Sequence, residues 1–237
     1  MTTGDATLVI VAAGRSERYG GTCKVMELVH GQPVLAWSMQ AADLAPSICD
    51  VIVVVGVHSR DEITRFLESG TWDKPWQVVE GGSRRQDSVA AGVLAVPESS
   101  TVVLVHDGAR PLAPVSLYES CAEAARQHGA CIAATPVSDT LKSVSDGTIQ
   151  RTVSRSGLWA AQTPQGFLRH ILQPAVARAR ESTNEFTDEA SMLEAAGIPV
   201  HIVPGSRSNL KVTVPEDLAM VDALMSLRHH SPQGTTS

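Results

Sequence analysis

Three apolar runs constrain the fold most: "TLVIVAAG" (7–14), "DVIVVVGV" (50–57) and "STVVLVHDGARP" (100–111). Each is rich in β-branched residues, shows no polar alternation, and ends in small or polar residues. That pattern reads as a parallel strand covered on both faces, because helices on either side leave no face for water. Parallel neighbours need long crossovers, and the intervening stretches supply them at helical spacing. These are "PVLAWSMQAADLA" (33–45), "RDEITRFLES" (60–69), "RRQDSVAAGVLAV" (84–96) and "PVSLYESCAEAARQHG" (114–129). Shorter strands are expected at 76–82, 130–137 and 200–205, with further helices at 168–181, 188–196 and 215–228. Pro33 and Pro215 suit helix starts, and Gly129 suits a helix end. Strict β/α alternation predicts an α/β fold with a doubly wound, mostly parallel sheet. The core has to be aliphatic, since 43% of the chain is hydrophobic but only 4% is aromatic.

One stretch departs from the alternation. Residues 138–167, "SDTLKSVSDGTIQRTVSRSGLWAAQTPQGF", are polar and β-rich around a central "DG". That dipeptide is a hairpin-turn signal, so a hairpin projecting from the sheet is expected. The organisation expected is one domain over 1–228, a projecting arm at 138–165, and a disordered polar tail at 229–237.

Doubly wound sheets bind ligands beyond the carboxyl ends of their strands. The turns after the strands at 7–13, 101–106 and 130–137 are therefore expected to share one crevice. The first turn runs into "VAAGRSERYGGTCK" (11–24). It holds neither GxGxxG nor a Walker A pattern. Ala12, Ala13 and Gly14 let a nucleotide approach the backbone, while Gly20 and Gly21 let the loop bend with its amides inward. Arg18 adds a fork of donors and Lys24 a point charge. These residues point to a nucleotide phosphate and go no further.

Other segments leave alternatives open. In "VHDGARP" (105–111), Asp107 is either a ligand for a hard cation or a turn residue paired with Arg110. In "EGGSRRQDSV" (80–89), Gly82, Ser83 and Ser88 meet a base or ribose, or they cap a helix. "FTDEAS" (186–191) reads first as a helix start capped by Thr187. Lys211 lies in an extended stretch before Pro215, where a lone lysine is usually solvated.

Composition excludes several classes. A net charge of -6 is wrong for a protein that coats nucleic acid or membrane surfaces. Cys23, Cys49, Cys121 and Cys131 show no CxxC or metal spacing, so free thiols in a reducing cytoplasm are expected. No run has the length of a membrane span. No GxSxG elbow and no zinc-type histidine spacing appear.

The ordered set "AAGRSERYG…CK", "GGSRRQDSV", "VHDGARP", "SDTLKSV", "VSRSGLWAAQTPQGF", "FTDEASMLEAAG" and "NLKVTVPEDL" resembles the 2-C-methyl-D-erythritol 4-phosphate cytidylyltransferases over about residues 7–226. The resemblance implies a Rossmann-like nucleotidyltransferase that moves a cytidylyl group from CTP to methylerythritol phosphate. Pyrophosphate is released, Mg²⁺ is the cofactor, and the pathway leads to isoprenoid precursors. By motif, Ala12, Ala13, Gly14, Gly82, Ser83 and Ser88 would hold the cytidine end. Arg18 and Lys24 would grip the triphosphate, with Lys211 at the α-phosphate. Asp107, Arg110 and Thr187 would face the sugar phosphate, with Asp107 at the metal. The resemblance also implies a homodimer of interlocked arms, in which Thr140 and Arg155 reach the partner's site. The chemistry agrees, since a phosphate oxygen is already ionised and needs no general base.

Three departures from the family's usual pattern are visible. "CKV" (23–25) stands where the family writes "PKQ", the first loop is one residue shorter than in some relatives, and Gly108 replaces a commoner alanine. Losing the proline frees the backbone before Lys24 and predicts a looser triphosphate loop. Cys23, beside that lysine, is a candidate for alkylation. A ribitol 5-phosphate cytidylyltransferase is the neighbouring reading, but that branch favours "AGG" and lacks "TDEAS". A nucleotide sensor that keeps the fold without the activity is the reading from another class.

Overall fold

The computed structural model describes residues 4–14, 19 and 23–230. Its first apolar run forms β1 (Ala6–Ala12), flanked in parallel by β4 (Ile48–Val55) and β6 (Val102–Asp107). The chain moves outward from β1 through β4 to β5 (Trp76–Glu80), then returns to set β6 on the other flank of β1. Beyond β6 come β10 (Trp159–Leu168), β7 (Ala130–Pro136) and β11 (His201–Pro204), giving the order β11-β7-β10-β6-β1-β4-β5. The winding direction reverses between β1 and β6. Crossovers on the two sides leave in opposite directions there and open a crevice at the carboxyl ends.

The β-branched runs do not alternate because both faces of the sheet are covered. Leu8 and Ile10 of β1 join one apolar cluster, and Val9 between them joins the other. In β4, Val51, Val53 and Val55 likewise face one way while Ile52 and Val54 face the other. The first cluster packs α1 (Val34–Leu44), α2 (Arg60–Ser69), α4 (Val115–His128) and α7 (Pro215–His230). The second packs α3 (Arg85–Leu94), α5 (Arg169–Glu181) and α6 (Glu189–Ala195). Gly92 shows how tightly α3 lies on the sheet. A Cβ there would fall 2.5 Å from Val9 and 2.7 Å from Val54, so only glycine lets the helix sit this close.

The expected arm is shorter than 138–165. Its hairpin is β8 (Leu141–Ser145) and β9 (Thr148–Val153), a separate two-stranded sheet. Asp146 and Gly147 turn it at φ 50° and 74°, as the "DG" signal required. Residues 159–165 belong instead to β10, which lies in the main sheet antiparallel to both β6 and β7. Its polar residues hid its burial. Gln162, Thr163 and Gln165 are buried, and each is bonded to polar partners. Pro164 sits within the register shift between Ala161 and Gln165, where no ladder bond is lost.

A small hairpin of β2 (Leu28–Val29) and β3 (Gln32–Pro33), turned at His30 and Gly31, was not expected from the sequence. Pro33 precedes α1 as its cap, with α1 beginning at Val34. Among the described residues, no helix is long and apolar enough to cross a membrane.

Candidate active site

A cleft of about 220 Å³ opens at the carboxyl ends of β1 and β6. Ala12, Ala13 and Gly14 form its floor where β1 ends. Among the described residues, a Cβ at Gly14 would meet nothing within 4 Å. Gly82, Ser83 and Ser88 form the facing wall, in the turn from β5 into α3. That turn closes against β1 because Gly81 has no side chain, since a Cβ there would fall 2.6 Å from Ser88 Oγ and 2.8 Å from Ala13 Cβ. The segment also caps α3. Asp87 accepts a bond from the Arg84 amide at 3.2 Å, and Ser88 Oγ donates to the Gly82 and Arg84 carbonyls at 3.3 and 3.2 Å. The two alternatives for this motif are thus compatible.

Asp107, the last residue of β6, forms the centre of the site. It is 9% exposed at the side chain and faces three cations. Lys211 Nζ lies 2.8 Å from Oδ2, Arg110 Nε 3.4 Å from the same oxygen, and Arg85 Nη2 3.5 Å from Oδ1. Burial alone would push this carboxyl up. The three cations outweigh burial and hold it well below the ordinary carboxylate range. Arg110 also donates to the Asn209 carbonyl at 2.8 Å, which anchors the strand-like segment carrying Lys211. Lys211 is therefore not the solvated lysine its sequence context suggested.

The backbone beneath Asp107 is fixed by β10. The Asp107 amide donates to Thr163 Oγ1 at 3.0 Å, and that hydroxyl lies 3.0 Å from His106 Nδ1. His106 Nε2 faces the Arg110 carbonyl at 3.2 Å, an acceptor without a proton, so Nε2 carries the hydrogen and Nδ1 accepts. Burial of the ring, with Arg110 and Lys211 nearby, pushes its pKa down to about 4, against the raising influence of Asp107.

Not every expected residue reaches this cleft. Arg18, Gly20 and Gly21 lie outside the described residues. Lys24 lines the cleft beside Cys23, whose thiol is pushed up by burial and so is held protonated at neutral pH. Thr140 and Arg155 are exposed on and beside the arm, and Arg155 donates to the Ser138 carbonyl. Thr187 is exposed and does not cap α6. Asp188 does, accepting from the Ser191 amide at 3.0 Å, because a carboxylate one residue later meets the open amides directly. The turn after β7 does not line this cleft either, since β10 intervenes between β7 and β6.

Two residues of the site were missed. Arg85, the first residue of α3, lines the cleft and pairs with Glu189, which is fully buried at the start of α6. Burial pushes the Glu189 carboxyl above its ordinary range, and Arg85 only partly offsets this. The doubled arginine of "SRRQ" and the "DE" of "FTDEAS" were the available signals.

Asp107 does not fit the expected role of a metal ligand. Both its oxygens already face side-chain cations, and its nearest acidic neighbour in the network, Glu189, is held by Arg85. Magnesium is bound through one or two carboxylates together with substrate phosphates and waters. A divalent ion at Asp107 would have to displace ammonium or guanidinium groups. Among the described residues, no group of three or more His, Cys, Asp or Glu side chains could hold a metal.

An α/β sheet with a cation-lined, glycine-walled cleft at its switch point suits a protein that binds nucleotide phosphates, and its relatives narrow this to a nucleotidyltransferase. The family description 2-C-methyl-D-erythritol 4-phosphate cytidylyltransferase matches residues 6–227. A protein of that name from Synechococcus elongatus is 43% identical over 93% of this chain and 96% of its own. One from Synechococcus sp. WH7803 is 45% identical over 93% and 99%. The solved 4-diphosphocytidyl-2C-methyl-D-erythritol synthase from Anaerococcus prevotii superposes with a TM-score of 0.82 at 28% identity, covering 94% of this chain and 99% of its own. The cytidylyltransferase from Thermus thermophilus gives 0.74 at 31%, covering 92% and 98%. The chain belongs to the 2-C-methyl-D-erythritol 4-phosphate cytidylyltransferase family, and its activity is CTP-dependent cytidylyl transfer in the methylerythritol phosphate pathway.

The buried neutral His106 makes stability depend on pH. Its folded pKa lies below the unfolded value near 6.5, so its contribution is complete above that value and is lost as pH falls toward about 4. Thermal melts from pH 7 to 4 should show a loss on the order of 3 kcal/mol in wild type that His106→Gln lacks. Equal pH slopes in the two proteins would contradict the neutral, buried assignment.

Proposed function

We propose that the cleft runs the reaction by holding two polyanions in line. A phosphate oxygen of methylerythritol phosphate attacks the α-phosphorus of CTP. The new P–O bond forms as the bond to the β-phosphate oxygen breaks, and pyrophosphate leaves with that electron pair. The attacking oxygen is already ionised, so the protein's task is charge neutralisation and alignment. Lys211 neutralises the α-phosphate, while Lys24 and Arg18 neutralise the leaving pyrophosphate. Ala12, Ala13, Gly14, Gly82, Ser83 and Ser88 bound the cytidine end. Asp107 and Arg110 form the side where the sugar phosphate enters, and Thr187, which does not line the cleft, is assigned to that substrate by the family pattern alone. Asp107 is already taken up by three cations, so a divalent ion would be held by the substrate's own phosphates, where it would neutralise part of their charge. The observation that carries this reading is one buried carboxylate holding three cations at the switch point.

Thr140 and Arg155 do not line the cleft of their own chain, which favours their service to a partner in a homodimer. The arm's Val144 and Ile149 are cross-strand partners, 56% and 60% exposed, an apolar pair suited to burial against a second arm. A cytoplasmic setting agrees with the four unpaired cysteines.

Pyrophosphate release should require CTP, magnesium and methylerythritol phosphate, and should fall roughly 100-fold or more in Lys24→Ala. Release with ribitol 5-phosphate instead would move the substrate assignment. CTP binding without release from either would leave a sensor. Mixing inactive Lys24→Ala with inactive Arg155→Ala tests the dimer. Service in trans predicts that about a quarter of wild-type activity returns, because mixed dimers regain one intact site. Continued inactivity would place Arg155 in its own chain's site.

A further inference from the structure

We infer that Glu189 is a positioning residue for cytidylyl transfer: through Arg85 it fixes the Asp107 carboxylate, and through that carboxylate the Lys211 ammonium. The inference rests on the proposed role of Lys211 and deepens it.

Glu189 is 0% exposed, a position where an ionised carboxylate is tolerated only if paired. Its partner is Arg85, with Nη1 2.5 Å from Oε1 and Nη2 3.4 Å from Oε2. The same guanidinium turns its Nη2 to Asp107 Oδ1 at 3.5 Å. Lys211 and Arg110 take the other Asp107 oxygen. The carboxylate is thus pulled from both sides and has one orientation in which all three cations are satisfied. A relay runs from α6 to α3, to the end of β6, to the segment bearing Lys211.

Both ends of the first link are rigidly mounted. Gln165 of β10 donates to Asp188 at 3.1 Å and accepts from the Ala190 amide at 3.2 Å, clamping the residues on either side of Glu189. Gln86, next to Arg85, donates to the Ala179 and Asn184 carbonyls and accepts from the Phe186 amide. The loop leading to Glu189 is therefore tied to the helix that bears Arg85.

A buried ion pair is a poor device for stability, since apolar residues of like volume often do as well or better. What this pair adds is direction. Without Glu189, Arg85 keeps its charge but loses the contact that holds its fork across Asp107. Asp107 is then free to rotate, and Lys211 loses its fixed place in the cleft. The charge balance changes as well, since two carboxylates against three cations leave one positive charge and removing Glu189 leaves two.

Steady-state kinetics on the full chain test this. Glu189→Gln preserves volume and a neutral acceptor; kcat should fall roughly 10- to 100-fold, with KM for CTP within about twofold. Its melting temperature should stay within about 5 °C of wild type. Arg85→Lys keeps the charge but not the fork, should lose kcat to the same degree, and carries the test if Glu189→Gln fails to fold. The double variant should lose little more than either single one, because both act on one path. A folded Glu189→Gln with kcat within twofold of wild type would overturn the relay, as would losses that multiply in the double variant. Lys211→Met separates the two readings. If it is inactive while Glu189→Gln is active, only the relay fails; if both are active, the assignment of Lys211 fails with it.

Discussion

Asp107 is the constraint on which the site depends. A carboxylate this deeply buried would be costly alone, and three cations converge on it from three segments. Its backbone amide is bonded to β10 through Thr163, and Asn209 of the lysine-bearing segment donates to the Thr163 carbonyl at 2.9 Å. One residue thereby sets the spacing between the end of β6, the start of α3, the 209–214 segment and the antiparallel strand. The cations would repel one another without it. With it, they form a positive patch aimed at incoming phosphates, in a chain whose net charge is -6. Local arrangement overrides overall charge.

The fold supplies the place for this arrangement. Parallel strands on both sides of β1 send their crossovers in opposite directions, so the floor at Ala12–Gly14 and the wall at Gly82–Ser88 face each other with little side chain between them. Close approach there depends on glycines: Gly81 against Ser88 and Ala13, and Gly92 against Val9 and Val54. Adding a methyl at either would push the wall or its helix off the sheet. The cleft width and the core packing are the same geometric fact.

Much of this was legible in the amino-acid sequence because its signals were periodic or local. Uninterrupted β-branched runs marked β1, β4 and β6, and the "DG" marked the arm's turn. Gly14, Lys24 and Gly82 fell in the turns after strands, where the fold class puts ligands, whereas Lys211 came only from the family resemblance. What escaped was non-local. β10 reads as part of the projecting hairpin because Gln162, Thr163 and Gln165 are satisfied by partners far along the chain, and no local pattern announces that. Arg85 and Glu189 lie 104 residues apart, so their pairing exists only in the fold. Thr187 competes with Asp188 as a cap in the sequence because both residue types cap well, and the helix boundary differs by one position.

The most direct test of the account is pyrophosphate release by Asp107→Asn, measured with saturating CTP, magnesium and methylerythritol phosphate. The side chain keeps its shape and loses only its charge. The account predicts a folded protein whose kcat falls roughly 100-fold or more, because Lys211, Arg85 and Arg110 lose the anion that orders them. Activity within about tenfold of wild type would mean that the three cations find their places without Asp107, and the central claim would be wrong.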